Sequence, residues 1–343
     1  MTATTSTPPC EPAIQVAGLG KSFDHNTVLR SIDLTVPPGT VYALLGPNGA
    51  GKTTVVRILT TLITADTGTA TVLGHDVGRD PGGVRRDIGV TGQFSAVDEL
   101  LTGRENLRLM ADLHHLPRER GGARAQELLE RFDLVAAGDR GAQTYSGGMK
   151  RRLDLAMTLV GSPELIFLDE PTTGLDPRSR RELWNIVREL VDEGVTVFLT
   201  TQYLDEADEL ADRVGVLDDG GLVAEGTSTE LKGRLPGGRI EVAYDDPGEL
   251  AAAAGSIEEA TAHEERLTLS VPHDGSLSSL RRLMGRLDDD AVTGLEVHTP
   301  DLDDVFLALT GHAARKAEPA PATPASPAPA RGAHASTGNE AAR

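Results

Sequence analysis

The sequence predicts an α/β fold: a core with a largely parallel sheet, an antiparallel β flap ahead of it, a helical subdomain inserted within it and a small C-terminal α/β domain behind it. Three observations predict this. Short apolar runs alternate with helix-like periods, VYALL then VVRILTTLI, later LIFL, RELWNIVRELV, VTVFLTT and LDEADELADRV, the pattern of parallel strands joined by helical crossovers. From Phe94 to Tyr145 the reading turns helical, with ENLRLMADL and AQELLERFDLV carrying apolar stripes at helical spacing. At GRLPGGR, Gly233 to Arg239, glycine and proline punctuate the chain before the alternating runs IEVAY, LTLSV and LEVHTP.

Taken in order, residues 1–12 are rich in Thr and Pro, and residues 313–343 hold mainly Ala and Pro with no Leu, Ile, Val or Phe. Neither tail has enough apolar surface to offset its ordering entropy, so both are expected to be disordered. Ile14 to Leu19 and Leu29 to Val36 read as the flap, the second setting Leu29, Ser31 and Asp33 against Arg30, Ile32 and Leu34. The main domain is expected over 13–235, its helical subdomain over about 94–160, and the accessory domain over 236–312. The last element reads as a helix in TPDLDDVFLALTG. Thr299 would be its N-cap, Pro300 its first residue, Leu302, Val305, Phe306 and Leu309 its buried face and Gly311 its stop.

Composition excludes several classes of function. The 343 residues leave room for about two domains of roughly 150 residues. With 33 Lys+Arg against 52 Asp+Glu, the net charge of −19 repels nucleic-acid phosphates. The single cysteine, Cys10, forms no internal disulfide and no multi-cysteine metal site. No apolar run approaches the ~18 residues of a membrane-spanning helix, and the first residues lack the basic and apolar regions of a secretory signal. A cytoplasmic chain is expected.

The chemistry concentrates in Gly46-Pro47-Asn48-Gly49-Ala50-Gly51-Lys52-Thr53-Thr54, the GxxxxGK[ST] phosphate loop. It follows a strand-like run and opens a helix, so its backbone N–H groups can wrap phosphate oxygens at the positive helix end. Lys52 then neutralises the β and γ charge and Thr53 ligates Mg²⁺. Leu165 to Leu168 runs into Asp169 and Glu170, placing two carboxylates at the carboxyl end of a buried strand, where α/β proteins bind ligands. Asp169 is expected to hold Mg²⁺ through its water shell and Glu170 to orient and deprotonate the attacking water. Tyr145-Ser146-Gly147-Gly148-Met149 opens a helix with Ser146 as N-cap and a stripe of Met149, Leu153, Ala156 and Val160. Alone, such a start is more often structural capping than a ligand site. His114 and His115, and the acidic run Leu204 to Asp212, read as solvated surface.

Together these residues resemble the nucleotide-binding subunit of ABC transporters over about Ile14 to Leu235, that is, a P-loop NTPase of the ABC type. Six elements match in order: the phosphate loop at Gly46 to Thr54, the Q-loop at Gln93, the signature at Tyr145 to Met149, the Walker B strand at Leu165 to Glu170, the D-loop at Gly174-Leu175-Asp176 and the switch at Gln202. The resemblance implies ATP bound between Gly46 to Thr54 of one chain and Ser146, Gly147 and Gly148 of a second copy, head to tail, with Asp176 beside it. It implies Mg²⁺ at Thr53, Gln93 and Asp169, and Phe23 stacked on adenine, the alternative for Phe23 being a core residue. The signature is YSGGM where many members have LSGGQ, and Gln202 stands where most have His. Both variants, and the end DLDDVFLALTG, are similar to the daunorubicin-resistance branch of ABC exporters. That implies an ATPase at the cytoplasmic face of a membrane, powering efflux of a drug or other hydrophobic molecule through a separate permease docked on Phe94 to Arg104. The alternative is a soluble ABC ATPase acting on ribosomes or nucleic acid. Against it stand the single phosphate loop, the lack of a long coiled-coil insertion and the charge.

Overall fold

The computed structural model describes residues 11–93, 95–234, 238–257, 259–273, 277–287, 291–298 and 301–311. Cys10, Phe94, Thr299, Pro300 and the expected tails, residues 11 and 12 aside, lie outside the described residues.

The chain opens with β1 (Ile14–Phe23) and β2 (Asn26–Val36), an antiparallel pair. The phase of β2 differs from the expected alternation: Leu29 shares the buried face of Ile32 and Leu34. Ser31 at φ 55° adds one residue to β2 where Leu19 pairs with Ile32 and Lys21 with Leu29. A bulge of this kind turns the strand by one side chain. Then come β3 (Val41–Leu45), α1 (Lys52–Leu59), β4 (Thr67–Val72), β5 (His75–Asp76), α2 (Pro81–Asp87) and β6 (Ile88–Thr91). The flap sheet is ordered β2-β1-β4-β5. The helical insertion supplies α3 (Gly103–Leu113), α4 (Arg118–Arg131) and α5 (Gly147–Thr158). The core resumes with β7 (Leu165–Asp169), α6 (Pro177–Asp192), β8 (Thr196–Thr201), α7 (Leu204–Leu210), β9 (Arg213–Asp218), β10 (Gly221–Gly226) and α8 (Ser228–Lys232).

The central sheet is ordered β10-β9-β3-β8-β7-β6, parallel throughout except for the hairpin β9-β10. Every residue of β3, β7 and β8 is buried because the sheet is covered on both faces. Tyr42, Leu44, Leu165, Phe167 and Phe198 face α1 and the flap, with the Tyr42 and Phe198 rings stacked at 5.5 Å. Val41, Ala43, Leu45, Ile166, Leu168, Val197 and Leu199 face the side of α3 to α6.

Beyond α8 a second sheet is built from β11 (Arg239–Tyr244), β12 (Thr261–His263), β13 (Thr268–Pro272) and β14 (Val292–His298), in the antiparallel order β12-β13-β11-β14. Helices α9 (Pro247–Ser256) and α10 (Leu277–Met284) complete a separate core of Ile240, Val242, Tyr244, Leu250, Leu269, Val271 and Leu283. The last helix, α11 (Leu302–Thr310), does not close this domain. Leu302, Val305 and Phe306 enter the main core beside Leu204, Ala207 and Leu210 of α7 and Leu231 of α8. Its N-cap is Asp301, in a reciprocal capping box with Asp304, rather than Thr299. Leu309 is 38% exposed, outside the buried face expected for it. A helix this short has few intrahelical bonds, so the face that packs decides where it docks.

Because Phe306 is only 4% exposed, Phe306→Ala should cost about 3–5 kcal/mol. In urea unfolding the loss should appear in the transition of the main domain. A loss confined to the accessory domain would contradict this packing.

Candidate functional site

The strand register assembles the site. Leu45 pairs with Thr201, Thr200 with Asp169, and Leu168 with Thr91. The next residues along β3, β8, β7 and β6 are Gly46, Gln202, Glu170 and Gly92-Gln93, so four predicted elements leave the sheet at one edge.

The phosphate loop occupies that edge between β3 and α1. Gly46 N donates to Thr201 O at 3.1 Å, and Ala50 N returns to Pro47 O at 3.3 Å. Gly46 admits no side chain, since a Cβ there would lie 2.2 Å from Leu217 O. Gly51, at φ 110°, is equally constrained, with Leu29 Cδ2 2.6 Å from an added Cβ. The flap is thereby seated against the loop. Lys52 is buried and donates to Gly46 O at 2.8 Å and Pro47 O at 3.1 Å, and its Nζ lies 3.3 Å from Glu170 Oε1. Burial pulls the ammonium below its ordinary pKa, while the Glu170 and Asp169 carboxylates pull it back up. Thr53 Oγ1 lies 3.3 Å from Asp169 Oδ1.

Asp169 is buried at the end of β7, and Thr200 Oγ1 donates to its Oδ1 at 2.5 Å. Thr200 was not singled out by sequence because a threonine inside an apolar strand carries no motif. Glu170 sits at φ 50°, a left-handed conformation costly for a residue with a Cβ. It is held there by Glu170 N, which donates to both Thr200 O and Thr200 Oγ1 at 3.1 Å. A hydroxyl and a carboxylate, both hard oxygen donors, meet at Thr53 and Asp169, and such donors suit Mg²⁺.

The remaining residues lie around this centre. Gln93 is exposed just beyond β6, and Gln202 is half-buried beyond β8. Phe23 is 44% exposed with Lys21 Nζ 5.3 Å from its ring centroid, which excludes a core role. Ser146 caps α5, accepting from Met149 N at 3.3 Å, and Ser146 and Gly147 are exposed. An added Cβ at Gly147 would meet nothing, whereas one at Gly148 would lie 2.5 Å from Ser179 Oγ, so only Gly148 is needed for close helix packing. Asp176 caps α6, accepting from Arg178 N and Ser179 N at 3.0 Å and from Ser179 Oγ at 2.6 Å. His114 and His115 are exposed.

The acidic run Leu204 to Asp212 is not the solvated face expected of it. Asp205, Asp208 and Glu209 are exposed, but Glu206 is fully buried, with Trp184 Nε1 donating to its Oε1 at 3.3 Å. The helical period of Leu204, Ala207 and Leu210 draws the adjacent Glu206 inward with them. Arg151 and Asp154 of α5 were also missed. They form an ion pair at 3.2 Å behind Asp169.

A phosphate loop joined to a carboxylate pair on this sheet defines a P-loop nucleotide hydrolase. A family model for ABC transporters matches residues 29–173. The daunorubicin resistance ATP-binding protein DrrA3 of Streptomyces coeruleorubidus is 49% identical over 90% of this chain and 99% of its own length. The linearmycin resistance ATP-binding protein LnrL of Bacillus subtilis is 32% identical over 88% of this chain and 99% of its own. A solved ATP-binding subunit of an ABC transporter is 27% identical, with a TM-score of 0.59, over 65% of this chain and 92% of that one. The chain belongs to the ATP-binding subunits of ABC transporters, ATPases whose hydrolysis drives transport.

Burial pushes the Glu206 carboxyl above the ordinary value of 4.5, against the Thr201 and Thr172 hydroxyls and the Trp184 indole, which favour its charged form. With the folded value above the unfolded one, its stabilisation is whole below pH 4.5 and is lost as pH rises through the folded value. Glu206→Gln removes that loss. Its stability relative to the unsubstituted chain should therefore increase as pH rises from the unfolded value through the folded one, measured by urea unfolding through Trp184, the single tryptophan. A pH-independent difference would show that Glu206 does not change protonation on unfolding.

Proposed function

We propose that this chain is the ATP-hydrolysing subunit of an exporter that moves a drug or other hydrophobic molecule through a separate membrane permease. The observation that carries the site assignment is the pair of contacts joining its two halves, Lys52 Nζ to Glu170 Oε1 and Thr53 Oγ1 to Asp169 Oδ1, each at 3.3 Å. The efflux reading rests on the resistance named for both relatives. Their two drugs differ, so the class of cargo is broader than either name.

In this reading the amides of Gly46 to Thr54 and the Lys52 ammonium hold the β- and γ-phosphates of ATP, and Phe23 stacks on adenine. Thr53, Asp169 and Gln93 would hold Mg²⁺, which neutralises phosphate charge when bound. Glu170 accepts a proton from the attacking water, its backbone fixed by Thr200. Gln202 donates its amide to the γ-phosphate. ABC ATPase subunits act with permeases and dimerise. The exposed Ser146 and Gly147 support a head-to-tail dimer in which they and Gly148 cover the nucleotide of a second copy, with Asp176 at the same interface. The region just after Gln93, Phe94 to Arg104, is the permease contact in this reading. Leu100, 86% exposed, offers it an apolar knob. No helix among the described residues is long and apolar enough to cross a membrane. The likeness to ATP-binding subunits of transporters supports a place at the cytoplasmic face, with the pore on the permease.

Glu170→Gln should lower ATP turnover roughly a hundredfold or more while leaving ATP affinity within about threefold. Equal losses of affinity and turnover would assign Glu170 to binding instead. Gln202→His should give turnover a new titration between about pH 5.5 and 8, the range of an imidazole whose unperturbed pKa is ~6.5, and Gln202→Ala should lower turnover more than binding. Steady-state hydrolysis across that range decides it, and an alanine variant with unchanged turnover would leave Gln202 a structural role.

A further inference from the structure

The Arg151–Asp154 pair has no part in the chemistry above, yet it holds four backbone groups on two segments that do. Asp154 is buried, and Arg151 is 11% exposed. Arg151 Nη1 donates to Gly92 O at 3.1 Å, immediately before Gln93. Asp154 Oδ1 accepts from Ala96 N at 3.0 Å, on the other side of Gln93. Arg151 also donates from Nε to Pro171 O at 2.7 Å and from Nη2 to Asp169 O at 3.4 Å, on either side of Glu170. Both side chains belong to α5, five and eight residues after Ser146, on the helix that Ser146 caps. Burial opposes the charge of each, and each holds the other's, with Glu206 and Asp169 adding to the field on Arg151.

We infer that Arg151 and Asp154 are positioning residues that tie the loop carrying Gln93 and the β7 end carrying Glu170 to the helix presenting Ser146 to Gly148, so that one buried pair sets the place of the catalytic elements of one nucleotide site and of the signature serving the other. The inference rests on the head-to-tail dimer proposed above. Its physical basis is the directional, bracketing set of bonds: a guanidinium and a carboxylate on one helix grip backbone groups on both sides of each catalytic residue. A rigid element with contacts at two sites is the means by which their equilibria become coupled.

The test uses full-length chains with two tags, co-purified as heterodimers in ATP. One protomer carries Lys52→Ala and the other Ser146→Arg, leaving one intact composite site, whose phosphate loop comes from the Ser146→Arg protomer and whose signature comes from the Lys52→Ala protomer. Into either protomer is added Arg151→Met with Asp154→Leu, an apolar pair that leaves no buried orphan charge. The expected result is a fall in kcat of roughly tenfold in both placements, with KM for ATP within about twofold and a melting temperature still well above that of the assay. Loss only when the pair is altered in the Ser146→Arg protomer would reduce Arg151 and Asp154 to supports of their own site and overturn the inference, as would no loss in either. A rise in KM matching the fall in kcat/KM would overturn it too. A proven heterodimer with no activity before the pair is altered would overturn the independent composite site formed in trans, and this inference with it. Should the double variant not fold, Asp154→Asn, which keeps an acceptor for Ala96 N, takes its place with the same expected pattern.

Discussion

The row of parallel pairings Leu45 to Thr201, Thr200 to Asp169 and Leu168 to Thr91 is the constraint on which the rest of the structure depends. Main-chain bonds fix it, and β3, β7 and β8 are buried on both faces, with the polar side chains Asp169, Thr200 and Thr201 gathered at their carboxyl ends. Polar chemistry is therefore driven to the carboxyl edge. There Gly46, Glu170, Gln93 and Gln202, separated by as many as 156 residues in sequence, are brought to one edge of the sheet.

Around that edge the molecule buries charge in pairs and fastens it to backbone. Lys52 faces Glu170 and two loop carbonyls, Arg151 faces Asp154 and three further carbonyls, and Asp169 is met by two threonine hydroxyls. A buried ion pair adds little net stability, since desolvation cancels most of the attraction. Its strength is orientation, and each of these groups fixes the direction of a segment that carries a site residue. Glu206 differs, held by the Trp184 indole rather than by an opposite charge in direct contact. Burial dominates its ionisation for that reason.

The accessory domain adds a second core but leaves its final helix to the first. With Leu302, Val305 and Phe306 buried beside α7 and α8, the chain returns to the ATPase body after β14. The small sheet is thus tethered at both ends, by the residues after α8 and by α11. A domain so tethered has less freedom relative to its neighbour than one hanging from a single linker.

Much of this was legible in the linear sequence. Glycine spacing before Lys52 defines a loop that only close backbone wrapping explains, an apolar run ending in Asp169-Glu170 places acids at a strand end, and alternation separates parallel core from antiparallel flap. These signals are local, because the physics behind them is the conformation of neighbouring residues. Other features were not legible. The left-handed Ser31 shifted the face of β2, the helix ending the chain chose the larger core, and Glu206 looked like its solvated neighbours. Arg151 and Asp154 read as ordinary helix charges, and Thr200 as strand filler. The sequence by itself determined the phosphate loop, the acidic strand end and the α/β class, since each is written in contiguous residues. Only the tertiary structure decided which charges are buried and which segments they grip, because burial and hydrogen-bond partners are set by packing between elements far apart in the chain.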